Sequence, residues 1–149
     1  MPLPVNDIAP GLVVTLDTDV LRARGDCQTN AERSGEQDRA VTGVQSFLLL
    51  AVDTKTGGCT AVPVFAKSAV GNQPLDNRQK SGDHAEWRAA ASFFSRWQHW
   101  RMPVDAVVAA CLDVDSAPAS RRWYAADDRS ALDDIKNWEG RNRAEYRAV

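Results

Sequence analysis

The sequence has few of the residues that build disulfide frameworks or zinc sites. Only three cysteines and two histidines occur among its 149 residues. The number of cysteines is odd, and they are widely spaced and form no CxxC pair: Cys27, Cys59 and Cys111. Neither a disulfide framework nor a zinc site is therefore expected. Free cysteines are typical of a reducing compartment. The sequence therefore predicts a cytoplasmic protein that uses no metal or other cofactor.

The sequence also lacks a segment suited to a membrane. Its longest strongly apolar run is about seven residues, whereas a transmembrane helix needs about 20. Residues 1–11 have no basic region followed by an apolar core, which argues against a signal peptide. We therefore expect no membrane partner.

An excess of one charge and the familiar nucleotide-binding motifs are missing as well. The net charge is -2, so any nucleic acid would have to bind at a local basic patch rather than to an overall positive field. The glycine-rich phosphate loops, HExxH and GxSxG do not occur. Nucleotide binding, zinc hydrolysis and serine-hydrolase chemistry therefore have no support.

Short β-branched runs make up the first half of the chain, whose length (1–149) suits one domain. Residues 12–16 predict a first strand. The runs at 46–52 and 59–66 are joined by a turn with two glycines, which predicts a β-hairpin. Pro63 cannot donate a ladder hydrogen bond, so its strand is expected at a sheet edge or bulged at that point.

The second half predicts helices and short strands. Asp83 can cap a helix over 83–100, whose apolar residues recur at helical spacing. Residues 104–114 predict a buried strand, although their alanines leave a helix possible. A short strand at 122–126 and a last helix opening at Ser130 complete the pattern.

Two segments have no apolar periodicity. Residues 22–45 are polar and mixed in charge, which predicts a long loop, and the basic tail 141–149 is expected to fray. The whole order predicts an α+β fold: a small antiparallel SH3-like β-barrel or strongly bent sheet, with the amphipathic 83–100 helix inserted and a C-terminal helix.

Several short motifs resemble one family of small barrel proteins. Residues 8–14 (IAPGLVV), 35–37 (GEQ) and 61–64 (AVPV) resemble segments of the PemK/MazF-type toxins, and the resemblance covers roughly residues 7–68. It implies an SH3-like barrel and an RNA-cleaving, metal-independent endoribonuclease that pairs with an antitoxin.

The sequence departs from that family at two functional places. The family usually has Arg-Pro directly before its second strand, whereas here the nearest arginine is Arg39 and no proline follows it. Phe65 stands where the family has Thr or Ser, and the next hydroxyl belongs to Ser68. The resemblance therefore implies either a divergent endoribonuclease or an RNA-binding protein that has lost catalysis.

The candidate catalytic residues are Arg39, Glu36 and Ser68. A guanidinium stays charged and binds two phosphate oxygens at once, which suits Arg39 for stabilising the transition state. Glu36 could take the proton of a 2'-hydroxyl, and Ser68 could assist. The alternative is that Arg39 and its neighbours are solvated loop charges.

The candidate binding residues are Trp97 and Trp100 with Arg96 and Arg101. Aromatic rings beside arginines are typical of single-stranded nucleic-acid binding and equally of protein interfaces. Most of these rings lie on the predicted apolar stripe, where they would be core, and Trp100 is expected to be the most exposed. The alternative function is accordingly a non-enzymatic protein-interaction module or homodimer that uses this helix face.

Three further features of the sequence involve residues that can bind metal, transfer protons or act as nucleophiles. Asp113 and Asp115 form a D-x-D pair that could hold a divalent ion or simply end a strand. His84 and His99 lie at opposite ends of the predicted helix, about 22 Å apart, which is too far for a catalytic pair. Cys27, in the long loop, is expected to be the most reactive cysteine.

Overall fold

The computed structural model describes residues 3–31, 39–115, 117–137 and 145–149. Its helices are α1 (Thr18–Arg24), α2 (Ala85–Ala89), α3 (Val104–Ala110) and α4 (Arg129–Lys136). Its strands are β1 (Leu12–Asp17), β2 (Gln28–Thr29), β3 (Val44–Asp53), β4 (Gly58–Phe65), β5 (Asn72–Pro74), β6 (Lys80–Ser81), β7 (Phe93–Ser95), β8 (Trp100–Pro103), β9 (Arg122–Tyr124) and β10 (Arg147–Ala148). Single 3-10 turns lie at Val5–Asp7, Asn77–Gln79, Asp113–Asp115 and Pro118–Ser120.

The strands form one antiparallel sheet in the order β10-β2-β8-β4-β3-β1-β9-β6, with β7 paired to β4 beside β8 and β5 paired to β7. The α+β class is therefore confirmed. Within the described residues the two ends of this order are not paired with each other, so the sheet is not closed into a barrel. No helix of the described chain is long and apolar enough to cross a bilayer.

The central strand β3 is buried on both of its faces. Phe47 and Leu49 pack into one apolar cluster, whereas Leu48 and Leu50 pack into a second cluster on the opposite face. Successive side chains of a strand point to opposite faces. A strand covered on both sides must therefore be apolar at consecutive positions, and this explains the uninterrupted run FLLL.

Helices cover both faces of this sheet. Leu21 of α1 and Val107 of α3 belong to the cluster that contains Phe47. Leu132 and Ile135 of α4 belong to the cluster that contains Leu48. The two clusters together form the core between the helices and the sheet.

The predicted β1 strand, the β3–β4 hairpin, the β9 strand and the start of the last helix are confirmed. The described part of the C-terminal tail does not fray as a whole, because β10 pairs with β2. The predicted loop at 22–45 is wrong in part, since it contains the end of α1 and all of β2.

The helix predicted over 83–100 is wrong. Only α2 is helical in this stretch, and β7 and the first residue of β8 follow it. The chain forms strands here because the edge of β4 that faces away from β3 needs partners. Without them its backbone N–H and C=O groups would be buried and unpaired. Pairing with β7 and β8 satisfies them and overrides the local helical pattern.

Residues 104–110 are helical, so the strand predicted over 104–114 is wrong and its helical alternative is correct for that part. The proline ring fixes φ at about -65°, and Pro103, the N-cap of α3, has a φ of -60° with an extended ψ of 148°. Ala106 and Ala110 are buried on the face that packs into the core.

Pro63 lies in an interior strand, which contradicts the predicted sheet edge. On one side it is opposite Phe47 of β3. On the other side β8 pairs with Gly58–Ala61 and β7 pairs with Val64 and Phe65, so Val62 and Pro63 face the connection between these two strands. The irregularity in the β3–β4 ladder lies elsewhere, between Leu49 and Ala51. The missing N–H of Pro63 thus falls where the second ladder is interrupted.

A buried ion pair joins β1, β9 and the turn Asp113–Asp115. The Asp115 carboxylate accepts hydrogen bonds from the Thr15 backbone N–H and from Nη2 of Arg122, the latter at 3.2 Å. Arg122 Nη2 also donates to Thr15 Oγ1 at 2.8 Å. Asp115 is therefore used structurally, and no group of three or more metal-ligating side chains occurs in the part of the chain that is described.

Replacing Asp115 by alanine should lower the free energy of unfolding by about 3–5 kcal/mol. The Asp115 side chain is 3% exposed and that of Arg122 16%, so the change leaves a largely buried guanidinium without its counter-charge. Urea denaturation at neutral pH measures the effect. The matched control is Asp134→Ala on the exposed face of α4, which should change stability by less than about 0.5 kcal/mol. Equal effects of the two substitutions would contradict the role of the ion pair.

Candidate functional site

A cavity of about 500 Å³ brings together Arg39 and Ser68, two of the candidate catalytic residues. We call it the Arg39 cleft. Its other lining residues are Val41, Phe65, Lys67, Ala69, Val70, Asn72, Ser95 and Gln98.

The Arg39 cleft lies at the end of strands rather than on a face of the sheet. Lys67 and Ser68 lie two and three residues after the end of β4, Ser95 ends β7, and Asn72 begins β5. Arg39 belongs to the segment that leads into β3. Apolar side chains cover both faces of the middle of β3 and β4, so polar groups gather towards the strand ends.

The charged residues described in the lining of the Arg39 cleft are both positive. Arg39 and Lys67 are both exposed, and among its described lining residues none is acidic. No hydrogen bond or ion pair engages the Arg39 guanidinium within the described residues. Cationic groups beside hydroxyl and amide groups favour ligands with several anionic oxygens, such as phosphates.

A second cavity, of about 360 Å³, shares Arg39 with the cleft and adds Arg22 and Arg147. We call it the Arg147 cavity. Arg22 is fixed there, because Nη2 donates to the Val41 carbonyl at 2.6 Å and Nη1 donates to Thr18 Oγ1 at 2.8 Å. Among the described lining residues, side-chain carboxylates are absent here too. Arg39 therefore lines both cavities, and the charged side chains described for each of them are cationic.

Gln98 holds the backbone of the segment that carries Arg39. The residue is only 3% exposed. Its Nε2 donates to the Arg39 carbonyl at 2.9 Å, and its Oε1 accepts from the Val41 N–H at 3.1 Å and from the Trp100 indole N–H at 2.7 Å. Sequence reasoning missed this role, because Gln98 is not on the apolar stripe of the helix predicted over 83–100.

Trp100 is fully buried, so its predicted exposure is wrong. It lies in β8 on the face that contains Phe47, and the two rings meet edge to face with their centroids 5.3 Å apart. The strand alternation that places Arg101 outside places Trp100 inside. Trp100 is thus a core residue that also hydrogen-bonds Gln98.

Trp97 and Arg96 lie beside the Arg39 cleft, in the connection between β7 and β8. The Arg96 guanidinium lies 4.7 Å from the centre of the Trp97 ring. The ring packs so closely on Gly71 that a Cβ there would lie 2.5 Å from a ring carbon, and Gly71 has a positive φ of 84°. Trp97 therefore supports the turn whose residues Val70 and Asn72 line the cleft.

Arg101 is separated from the other candidate binding residues. Its guanidinium lies 3.7 Å from the centre of the Tyr146 ring, which joins β8 to the C-terminal segment. It lines a third cavity, with Asp26, Asp53 and Lys136, that has mixed charge. The four candidate binding residues thus do not form one surface.

A general base is not found in the Arg39 cleft among the residues that are described. Glu36, the sequence candidate, lies outside the described residues. His84 instead caps α2, where its Nδ1 accepts from the Trp87 N–H at 3.0 Å. His99 is buried, with Nε2 at 3.3 Å from the Ile135 carbonyl.

Burial makes two of the three cysteines unreactive. Burial raises the pKa of the Cys27 thiol to about 12 and the pKa of the Cys59 thiol to about 12. Cys27 is fully buried in the core, so the prediction that it is the most reactive cysteine is wrong. Cys111 is partly exposed.

A scan against models of protein families finds no match for this chain, and searches of curated proteins and of solved structures find none either. The interpretation of the site therefore depends on its own geometry and charge.

Cys111 should react with iodoacetamide well before Cys27 and Cys59. At pH 8 a thiol with a pKa of about 12 is thiolate in roughly one molecule in ten thousand, and both residues are also shielded from the reagent. Peptide mass spectrometry after timed alkylation measures the order. Alkylation in urea is the control and should label all three. Rapid labelling of Cys27 in the folded protein would contradict its burial.

Proposed function

We propose that the protein binds single-stranded RNA along the surface formed by the Arg39 cleft and the Arg147 cavity. One observation carries the proposal. Arg39 and Ser68 are distant in sequence, yet they line one cavity with Lys67, and its described lining residues include no carboxylate.

The state of Arg39 supports phosphate binding. Its guanidinium is exposed and engages no described partner, so a phosphate need not displace an existing ion pair. The planar guanidinium can bind two phosphate oxygens at once. Lys67 adds a second positive charge at the same cavity.

The extent of the basic surface favours a chain of phosphates over a single anion. The Arg39 cleft contributes Lys67, the Arg147 cavity contributes Arg22 and Arg147, and Arg39 belongs to both. Successive phosphates of one strand could therefore contact cations in both cavities. Ser68 and Asn72 add hydroxyl and amide groups that can hydrogen-bond a 2'-hydroxyl, which supports RNA over DNA.

Cleavage is a separate hypothesis. The resemblance to PemK/MazF-type toxins implies a metal-independent endoribonuclease, with Arg39 on the phosphate and Glu36 or Ser68 assisting. It also implies an SH3-like barrel and an antitoxin-like partner. The antiparallel strand pairing is consistent with such a barrel, but within the described residues the sheet itself is open.

The alternative function is a protein-interaction module or homodimer that uses an aromatic helix face. Residues 83–100, all of which the structure describes, do not form that helix face. Residues 93–95 and 100–103 are strands, and Trp100 is in the core. The Arg39 cleft therefore carries the better-supported function.

Replacing Arg39 by alanine should weaken binding to a labelled mixed-sequence RNA of about 10 nucleotides. The loss of one phosphate contact should weaken affinity about tenfold, which corresponds to about 1.4 kcal/mol. It should also reduce the slope of log affinity against log salt by about 0.7. Fluorescence anisotropy across a salt titration measures both quantities.

The matched control is Arg78→Ala. The Arg78 side chain is 91% exposed, forms an ion pair with Asp76 at 3.0 Å and lines neither basic cavity, so this variant should bind as the wild type does. Equal losses in the two variants would contradict the site. No binding by the wild type would contradict the proposed function. Cleavage that survives EDTA and is lost in Arg39→Ala would add the enzymatic role.

A further inference from the structure

The position of Gln98 follows from an interruption in the sheet. Ala61 of β4 pairs with Trp100, and Val64 pairs with Phe94. The two residues Val62 and Pro63 therefore lie opposite the longer segment from Ser95 to His99. Pro63 has no backbone N–H to donate. The segment between β7 and β8 can therefore leave the ladder at this point without leaving a donor at residue 63 unpaired.

This detour turns Gln98 into the core beside the segment that carries Arg39. The Gln98 backbone N–H donates to Ser95 Oγ at 3.1 Å, which closes a tight turn between two buried residues. The side-chain amide then bridges to the Arg39 carbonyl and to the Val41 N–H. One buried side chain thereby joins the β7–β8 connection to the segment before β3.

The chemistry of this bridge requires an amide. The bridge needs a donor for the Arg39 carbonyl and an acceptor for the Val41 N–H and the Trp100 indole N–H. A neutral amide supplies both, whereas a carboxylate supplies only acceptors and a methionine supplies neither hydrogen bond at comparable strength.

We propose that Gln98 is a positioning residue for Arg39: its buried amide fixes the backbone of Arg39 so that the guanidinium stands ready in the cleft. This inference depends on the proposed function. An exposed arginine loses rotamer and backbone freedom when it binds a phosphate. Fixing its backbone in advance reduces that entropic cost and so increases affinity.

The test is a double-mutant cycle between Gln98→Met and Arg39→Ala, with RNA affinity as the readout. Gln98→Met alone should weaken binding about fivefold, since Arg39 is then held less firmly. In the Arg39→Ala background the same substitution should cause little further loss, because the two residues act through one contact. Unchanged affinity of Gln98→Met, or losses that simply multiply, would overturn the proposal.

Gln79→Met is the matched control. Gln79 also uses its side-chain amide, with Nε2 donating to Asp128 Oδ2 at 3.0 Å, but it lines neither basic cavity. It should leave RNA affinity unchanged in both backgrounds. A loss equal to that of Gln98→Met would show a general effect of losing an amide and would overturn the specific role of Gln98.

Hydrogen exchange of the Val41 amide tests the bridge without RNA. The amide should exchange faster in Gln98→Met, which lacks the acceptor, and stay protected in Gln98→Glu, which keeps it. Should Gln98→Met not fold, Gln98→Glu replaces it in the binding cycle, because it removes the donor to the Arg39 carbonyl. Unchanged Val41 exchange in Gln98→Met would overturn the bridge, whereas absent RNA binding by a wild type with a protected Val41 amide would overturn the proposed function and its positioning role.

Discussion

Burial of both faces of the β3–β4 pair is the constraint on which the rest of the structure depends. Helices and apolar side chains fill the space above and below these strands. An unpaired polar or charged group on either face would cost several kcal/mol, so polar chemistry is confined to the strand ends and connections. The charged segment before the run SFLLLAV follows from this constraint, because Arg39 stands where the chain leaves the covered part of the sheet.

A single proline lies opposite the connection that carries polar groups into the interior. Opposite Pro63 the second ladder of β4 opens, and Ser95, Gln98 and His99 are buried there despite their polarity. Burial is tolerable because the Gln98 amide and backbone N–H find hydrogen-bond partners in the neighbouring segments. The same bonds that satisfy Gln98 also hold Arg39, so the stability of the interior and the geometry of the cleft are coupled.

The parts of the fold that local patterns encode could be predicted from the sequence. The β3–β4 hairpin follows from two apolar runs and a glycine turn, and the sequence alone identifies Arg39 and Ser68 as candidate site residues. The failure over 83–100 has a specific cause: apolar residues such as Trp87, Phe94 and Trp97 fit a helical stripe locally. The need of β4 for neighbouring strands arises only in the tertiary structure, so the local sequence of residues 83–100 does not reveal it. For the same reason nothing local identifies Gln98 as buried.

Net charge is an equally poor guide to the candidate site. The chain carries a formal charge of -2, yet its charges are sorted in space. Asp26 and Asp105 pair with Arg24, Asp7 pairs with Arg121, and Asp115 pairs with Arg122. Arg39, Lys67 and Arg147 lie instead at the two cavities that share Arg39, together with Arg22, whose guanidinium is 3.9 Å from the Asp19 carboxylate. Paired carboxylates contribute little field at a distance in physiological salt, where charges more than about 8 Å apart are largely screened. A polyanion approaching this surface would therefore respond to the local cations and not to the negative total, so a weakly acidic protein can still attract RNA.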